Sequence, residues 1–230
     1  MRGLYAIVDM TKVTSEKVDP LAFVEAVLRA RPVALQLRAK TLGARDFLGL
    51  LRAVLPYCRR AGVPLFANDR ADLAALAGCD GVHIGQGDMP IHHVRRLAPS
   101  LRVGLSTHSL EQLAEALALR PDYVAYGPVF PTTTKTDAEP VVGLDGLARA
   151  ADLARRAAIP LVAIGGITLN TAPQVGAFGI SAAVIGDIVS QASLGMAQVA
   201  ARATALHDTI REAQTVSGCF GAVTLSVTGS

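Results

Sequence analysis

Cysteine and charge are both scarce in this sequence of 230 residues. The three cysteines, Cys58, Cys79 and Cys219, are widely spaced and odd in number, which argues against a disulfide framework or a metal-binding knuckle. A reducing cytosol is therefore the expected compartment. Charged residues make up only 18% of the chain and leave a formal net charge of +3. A balance this mild does not predict a nucleic-acid partner or an anionic membrane partner, which require clustered basic runs.

Long apolar runs are also missing. No uninterrupted apolar stretch is long enough to span a bilayer. The amino end lacks a charged segment followed by an apolar export core, because Tyr5 to Asp9 already has the pattern of a short strand. We therefore expect a cytoplasmic protein with no membrane partner. Hydrophobic residues are plentiful, at 51%, which is enough for a full core in one large domain or in two.

Short apolar runs alternate with longer segments of helical period along most of the chain. This rhythm predicts about eight strand–helix units. The predicted strands are Leu4–Val8, Val33–Leu37, Pro64–Ala67, Gly81–Ile84, Arg102–Leu105, Tyr123–Tyr126, Leu161–Ile164 and Ala182–Ile185. The predicted helices are Pro20–Arg31, Ala44–Ala61, Asp72–Ala77, Ile91–Leu97, Leu110–Leu119, Leu144–Ala157, Ala172–Phe178 and Met196–Ala213.

The number of units indicates the fold class, because a (β/α)8 TIM barrel requires eight of them. A doubly wound open sheet alternates in the same way, but it usually carries a glycine-rich turn after its first strand. Here that turn is Asp9–Lys12, which contains no glycine. The sequence favours a single α/β barrel domain over residues 1–213. The Gly/Ser/Thr-rich segment 214–230 has the composition of a disordered tail.

Polar side chains follow the predicted carboxyl ends of the strands, where the active sites of such barrels collect. The second strand ends in Gln36, Arg38 and Lys40, which strand alternation directs to one side. The following strands end in polar residues as well, while the opposite face carries ordinary helix stops such as Ala61-Gly62. This polarity favours an enzyme over an inert barrel. The polar residues after the third, fourth and fifth strands include Asn68, Asp69, Asp88, Ser106 and His108.

The loop after the sixth strand, Gly127–Lys135, carries three consecutive threonines and a lysine but no obvious nucleophile. Such a loop suits phosphate oxygens, with Lys135 as a point charge; a solvated polar loop is the alternative. Gly165-Gly166 ends the seventh strand and Gly186 follows the eighth. The loops after these two strands are the usual phosphate seat in such barrels, although a tight turn alone would also explain the glycine pair.

Asp69 and Asp88 lie at neighbouring predicted strand ends and could share one hard cation. Magnesium prefers oxygen ligands and is often held by one or two carboxylates together with substrate phosphates. Each aspartate taken alone is better explained as a helix cap. Together with Arg38, Lys40 and Lys135 at converging strand ends, the pair favours a magnesium–diphosphate site.

The two histidines near the predicted strand ends do not indicate a specific role. His83 alternates with apolar neighbours, so packing within the strand is favoured over a catalytic role. His108 suits either a ligand contact or a helix cap. No Ser–His–Asp or Cys–His set is evident, so the sequence does not predict covalent catalysis.

Taken in order, these motifs resemble the thiamine-phosphate synthase family from about residue 4 to about residue 212. The threonine–lysine loop and the Asn-Asp-Arg element are the specific signals, whereas the double glycine alone is not. The segments that carry the resemblance are Leu4-Tyr5, Gln36–Lys40, Asn68–Arg70, Gly81–Gln86 with Asp88, Gly127–Lys135 and Ile164–Ile167.

The resemblance implies an enzyme that joins hydroxymethylpyrimidine diphosphate to a phosphorylated hydroxyethylthiazole, giving thiamine phosphate and pyrophosphate. It implies a dissociative mechanism, magnesium as cofactor, and Lys135, Arg38 and Ser106 as the catalytic residues. By motif, the metal ligands are Asp69 and Asp88, and the residues that bind the pyrimidine diphosphate are Gln36, Arg38, Lys40, Asn68, Ser106 and Lys135. Those that bind the thiazole phosphate are Thr132, Thr134, Gly166, Ile185 and Gly186.

The chain departs from the family pattern after the eighth strand. The family usually has a serine where this chain has Gly186, and a small residue where it has Asp187. Loss of the hydroxyl leaves the backbone amide as donor. A carboxylate beside a phosphate would repel it unless the side chain turned away, which places the thiazole-phosphate site in question.

Other functions share parts of this pattern. A thiazole tautomerase of the same family holds one phosphate and expels no diphosphate. A non-catalytic regulator that binds thiamine phosphates needs no leaving-group machinery, and a phosphosugar isomerase would share only the glycine phosphate seat. The joint presence of Asn68, Asp69, Asp88 and Lys135 favours the synthase. Phosphorylated heterocycles are thus the expected partners, and the sequence leaves open whether the protein forms a homo-oligomer.

Overall fold

A computed structural model of the protein describes residues 2–132 and 139–220, without the side chains of residues 214–220. The predictions for Thr134, Lys135 and residues 221–230 lie outside the described residues. Within the described part of the chain, no helix is both long enough and apolar enough to cross a bilayer.

Eight parallel strands form a closed barrel in chain order, which confirms the predicted fold class. Closure is made by β8 pairing with β1, where Tyr5 lies opposite Ala183. The strands are β1 (Leu4–Asp9), β2 (Ala34–Arg38), β3 (Leu65–Asn68), β4 (Gly81–Ile84), β5 (Arg102–Thr107), β6 (Tyr123–Tyr126), β7 (Leu161–Ile164) and β8 (Ser181–Val184).

Helices follow every strand and surround the barrel. The α-helices are α1 (Met10–Ser15), α2 (Pro20–Leu28), α3 (Ala44–Ala61), α4 (Ala71–Ala77), α5 (Ile91–Leu97), α6 (Leu110–Ala118), α7 (Gly143–Arg156), α8 (Ala172–Gly176), α9 (Gly186–Val189) and α10 (Met196–Phe220). The predicted bounds of α3 and α5 match those observed.

Three of the differences between the predicted and the observed helices have a clear physical reason. The segment after β1 is the helix α1 rather than a turn, because the Asp9 carboxylate accepts the amides of Thr11 and Lys12 and caps it. The helix α2 stops before Arg31, which has a left-handed φ of 47°. The last helix continues past Ala213 to Phe220, since each further residue adds a backbone hydrogen bond to a turn already formed.

The core has two parts. The larger one lies between the strands and the helices, and a smaller one fills the barrel interior. Three aromatic rings, Tyr5, Phe66 and Tyr123, occupy most of that interior. Room for them comes from Gly81 and Gly104 on neighbouring strands, where an added Cβ would clash with the Phe66 and Tyr123 rings. Side chains therefore fill the barrel interior, and a ligand site is expected at the end of the barrel rather than inside it.

Candidate active site

The amide side chains Gln36 and Asn68 form a buried pair where β2 and β3 end. Gln36 Nε2 donates to Asn68 Oδ1 over 2.6 Å, and the two residues are 2% and 8% exposed. A short bond between buried amides holds both side chains in one orientation. The sequence predicted both residues for the pyrimidine subsite but not the bond between them.

Arg38 is held by Asp9, a residue that no sequence motif indicated as part of the site. The strand register places Asp9 opposite Arg38, and the Arg38 guanidinium donates to Asp9 Oδ2. The other carboxylate oxygen accepts the amide of Thr11 at 3.0 Å, so Asp9 is anchored at both oxygens. A signal for Asp9 was present in the sequence: it directly follows the apolar run of the first strand, and the next strand along the chain ends in an arginine. Asp9 therefore fixes the guanidinium at the mouth of the barrel.

Asp69 and Asp88 lie together, as predicted from neighbouring strand ends. Burial raises the pKa of Asp69, the Asp88 carboxylate raises it further, and Lys40, whose Nζ lies 3.3 Å from Asp69 Oδ2, opposes both effects. The helix-cap explanation is wrong for both aspartates. The residues that precede α4 and α5 are Arg70 and Pro90, and neither helix has a side-chain cap.

The pair has the chemistry of a magnesium site. Two carboxylates that repel one another, with all-oxygen donors, suit a hard dication. Within residues 2–132 and 139–220, no three His, Cys, Asp or Glu side chains gather as metal ligands. Magnesium held by two carboxylates commonly completes its coordination with substrate phosphates and water.

Ser106 lies half-buried near the end of β5, bonded to a histidine below it. His83 Nε2 lies 2.8 Å from Ser106 Oγ, and His83 Nδ1 lies 2.8 Å from Tyr123 Oη. His83 is thus more than a packed strand residue, because its ring links the barrel interior to the mouth. His108 does not cap a helix, since Ser109 caps α6. Instead His108 Nδ1 lies 2.7 Å from the carbonyl oxygen of Gly127, in the wall of a cavity.

That cavity lies above β6, β7 and β8 and has a volume of about 630 Å³. Its wall includes four residues predicted for the thiazole-phosphate subsite: Thr132, Gly166, Ile185 and Gly186. The fifth, Thr134, falls outside the described residues. Gly186 begins the four-residue helix α9, in which the amides of Ile188 and Val189 already donate to the Ile185 carbonyl oxygen.

Glycines allow the loop after β6 to lie against the loop after β7. The amide of Phe130 donates to the Gly165 carbonyl oxygen over 3.1 Å. Gly166 has a φ of 63°, and an added Cβ would clash with the Pro131 carbonyl oxygen and lie 2.7 Å from Phe130 Cβ. The glycine pair is thus required by close packing of two loops and not merely by a tight turn.

Replacement of Gly166 by alanine is expected to destabilise the fold by roughly 3 kcal/mol, from overpacking together with left-handed strain. Gly143 is the matched control, because its φ is 66° but nothing lies within 4 Å of an added Cβ. Gly143→Ala should cost only about 1 kcal/mol. Urea unfolding of both variants measures the difference, and equal losses would contradict the clash.

Asp187 lines the cavity, but its negative charge is compensated by an arginine on α10. Its two carboxylate oxygens each lie 3.0 Å from Arg202 Nη1 on α10, and Oδ2 also accepts the amide of Leu169. The repulsion expected from this departure in the family pattern is thereby reduced. The sequence could not indicate this pair, because Arg202 lies on the last helix, far from every motif.

Comparison with known proteins identifies the relatives of this chain. A family model described as thiamine monophosphate synthase matches residues 4–188. A thiamine-phosphate synthase from Roseiflexus sp. (strain RS-1) is 41% identical over 191 residues, which are 83% of this chain and 78% of the relative. That of Roseiflexus castenholzii is 37% identical over 208 residues, 90% of this chain and 88% of the relative.

A solved structure agrees with the sequence relatives. Thiamine phosphate pyrophosphorylase from Pyrococcus furiosus superposes with a TM-score of 0.79 at 32% sequence identity. The match covers 92% of this chain and 96% of that structure. The structural similarity therefore extends over nearly the whole chain.

Proposed function

The chain belongs to the thiamine monophosphate synthase family, and from that premise we propose that its barrel mouth joins two phosphorylated heterocycles. The substrates are hydroxymethylpyrimidine diphosphate and hydroxyethylthiazole phosphate. The products are thiamine phosphate and pyrophosphate, so the enzyme is a transferase of thiamine biosynthesis.

The observation that carries this function is the presence of two different anion-binding arrangements at one end of the barrel. One is the carboxylate pair Asp69 and Asp88 with Lys40 beside it, which suits a metal-bound diphosphate. The other is the glycine-walled cavity above β6 to β8, which suits a single phosphate. A condensation of a diphosphate with a monophosphate needs both, facing the same space.

The residues of this chain favour departure of the pyrophosphate before the new bond forms. Magnesium at Asp69 and Asp88 would neutralise charge on the leaving group. Arg38, oriented by Asp9, supplies a fixed cation beside Lys40 at the same mouth. The buried Gln36–Asn68 pair orients the pyrimidine. No protein nucleophile is needed, because positioning and charge stabilisation would supply the catalysis.

Two alternative functions would leave the diphosphate part of the site without a role. A thiazole tautomerase binds only a monophosphate, and a non-catalytic regulator has no leaving group to stabilise. Neither has a use for Asp69 paired with Asp88 and Lys40. The Asp187–Arg202 pair also removes the main reason for suspecting a regulator, since the carboxylate is compensated.

The decisive assay mixes purified protein with both phosphorylated heterocycles and follows thiamine phosphate and pyrophosphate. We expect equal amounts of the two products, with formation dependent on added magnesium. A parallel reaction with the thiazole phosphate alone tests for tautomerase activity. Absence of thiamine phosphate, or isomerisation of the thiazole alone, would replace the proposed function with one of the alternatives.

We also propose the cytoplasm as the compartment and small diffusible molecules as the partners. The support is the mild net charge of +3 and the two buried free thiols of Cys58 and Cys79. Burial raises the pKa of each thiol to about 12, so both remain protonated and unreactive.

Substitution of Arg202 by methionine should weaken binding of the thiazole phosphate. The Asp187 carboxylate would then face the cavity without its counter-ion and repel the phosphate, raising the KM for that substrate by roughly fivefold. Steady-state kinetics with saturating pyrimidine diphosphate measure this. Arg202→Lys is the control that keeps the charge.

The double variant Arg202→Met, Asp187→Asn should restore the KM, because it removes the uncompensated carboxylate. An unchanged KM in the single variant, or no recovery in the double variant, would show that Asp187 does not act on the phosphate.

A further inference from the structure

A continuous row of hydrogen bonds runs through the barrel interior and ends at the mouth. Tyr5 Oη lies 2.7 Å from Tyr123 Oη, and Tyr123 Oη lies 2.8 Å from His83 Nδ1. On the other side of the ring, His83 Nε2 lies 2.8 Å from Ser106 Oγ. The row therefore joins four side chains from β1, β6, β4 and β5.

The inner end of this row is closed to solvent. Tyr5 and Tyr123 are each 1% exposed, and apolar side chains such as Ile7 and Phe66 surround them. Burial is the main cause that raises the pKa of both phenols, so each keeps its proton at neutral pH. Among the described residues, the Tyr5 hydroxyl bonds only to Tyr123. The outer end is different, because Ser106 is half-buried and lies at the mouth.

Proton counting allows one arrangement in which every buried donor has an acceptor. Each of the three links can hold one hydrogen, and each hydroxyl and the neutral ring carry one. If Tyr5 donates to Tyr123, then Tyr123 donates to His83 Nδ1. The ring must then carry its proton on Nε2 and donate to Ser106 Oγ. The hydroxyl hydrogen of Ser106 is left to point outward.

The other tautomer leaves a buried hydrogen without an acceptor. With the proton on Nδ1, His83 donates to Tyr123 and accepts from Ser106. The link between the tyrosines then uses only one of their two hydrogens, and the other remains inside the apolar barrel. An unsatisfied buried donor of this kind disfavours the arrangement by roughly tenfold or more.

We propose that Tyr123 holds His83 as its Nε2–H tautomer and thereby makes the Ser106 hydroxyl a hydrogen-bond donor to the pyrimidine diphosphate. Ser106 touches the substrate, whereas His83 and Tyr123 are positioning residues that act through it. The substrate contact rests on the proposed function; the tautomer rests on the barrel interior alone.

The donor direction has a chemical consequence at the mouth. An outward hydroxyl hydrogen selects an acceptor atom on the substrate, such as a ring nitrogen or a phosphate oxygen, and would disfavour a donor at the same position. The histidine donation to Ser106 Oγ also strengthens the outward bond, because consecutive hydrogen bonds polarise one another. Tyr123, an interior residue that never contacts the substrate, would thus determine what Ser106 recognises.

The tautomer can be measured directly by NMR on the full chain. Long-range ¹H–¹⁵N correlation of protein labelled at histidine distinguishes Nδ1–H from Nε2–H. The His83 signal is assigned by its disappearance in His83→Asn. We expect His83 to be a neutral ring protonated at Nε2. Protonation at Nδ1 in the wild-type chain would overturn the proposal.

Two isosteric variants test the role of the tyrosines. Tyr123→Phe removes the donor to His83 Nδ1, so the Nδ1–H tautomer should become detectable. We expect kcat to fall in proportion to the fraction of the Nδ1–H tautomer, by roughly tenfold where that fraction reaches about nine-tenths, with both KM values changed less than about twofold. Tyr5→Phe is the control, because it removes a hydroxyl that contacts Tyr123 and not His83. Tyr123 then becomes the buried end and still donates outward, so the tautomer and kcat should be unchanged.

The outcomes separate this proposal from the proposed function. If the wild-type chain makes no thiamine phosphate but His83 carries its proton on Nε2, the function fails while the interior arrangement stands. If the chain is active and Tyr123→Phe keeps both the tautomer and kcat, the role of Tyr123 is overturned. Should Tyr123→Phe not fold, the wild-type spectrum still decides the tautomer.

Discussion

Replacement of Lys135 by alanine is expected to lower turnover by roughly 10²-fold or more. Lys135 lies outside the described residues, and its proposed role rests on the threonine–lysine sequence that follows β6 along the chain. A departing pyrophosphate develops negative charge, and an oriented ammonium group stabilises that charge most in the transition state. Single-turnover formation of thiamine phosphate measures the effect without interference from product release.

The control for this variant is Lys17→Ala. Lys17 is an exposed lysine after α1 and belongs to none of the binding arrangements described above. Its replacement removes the same charge from the chain and should leave the rate unchanged. A loss below about threefold for Lys135→Ala, or an equal loss in both variants, would mean that Lys135 does not act on the leaving group.

Asp69→Asn should abolish the response to magnesium, with a loss of activity of roughly 10²-fold. The same change should stabilise the metal-free protein at about pH 8. The folded-state pKa of Asp69 is raised, so its stabilising contribution is present at low pH and is lost as the pH rises through that pKa. Asparagine stays neutral and tolerates the left-handed φ of 64° found at this position.

Thermal unfolding gives a measurement independent of activity. In the absence of metal, Asp69→Asn should raise Tm by about 2 °C. Added magnesium should raise the Tm of the wild-type protein but not that of the variant. Asp72→Asn is the matched control, because the Asp72 carboxylate is paired with Arg70 at 2.6 Å rather than with a second carboxylate. An unchanged magnesium titration in Asp69→Asn would remove Asp69 as a ligand.

The fold was predictable because its determinants are local. Each strand is a short apolar run, and each helix has its own period and end signals, as in α3, which begins and ends where the sequence predicted. The boundaries that failed depended on single side chains or backbone angles. The cap at Asp9 and the left-handed Arg31 have no counterpart in hydrophobic period.

Much of the candidate site was also predictable in position. Asn68, Asp69 and Ser106 follow strand ends, and parallel strands closed into a barrel bring those ends to one mouth. What the sequence could not indicate was the partner of each side chain. Asp9 was not predicted as a site residue. His83 was predicted to pack within its strand, because alternation with apolar neighbours shows which face a residue occupies but not which groups it contacts there.

The sequence by itself determined the barrel, the family and the set of charged and polar groups at its mouth, since periodicity and motif spacing are properties of neighbouring residues. Only the tertiary structure decided the pairs: Asp9 with Arg38, Asp187 with Arg202, and His83 with Tyr123, which are 29, 15 and 40 residues apart. Barrel closure and helix packing set these distances. Electrostatic and hydrogen-bond energies depend on distance in space and on burial, neither of which is written in the order of the residues.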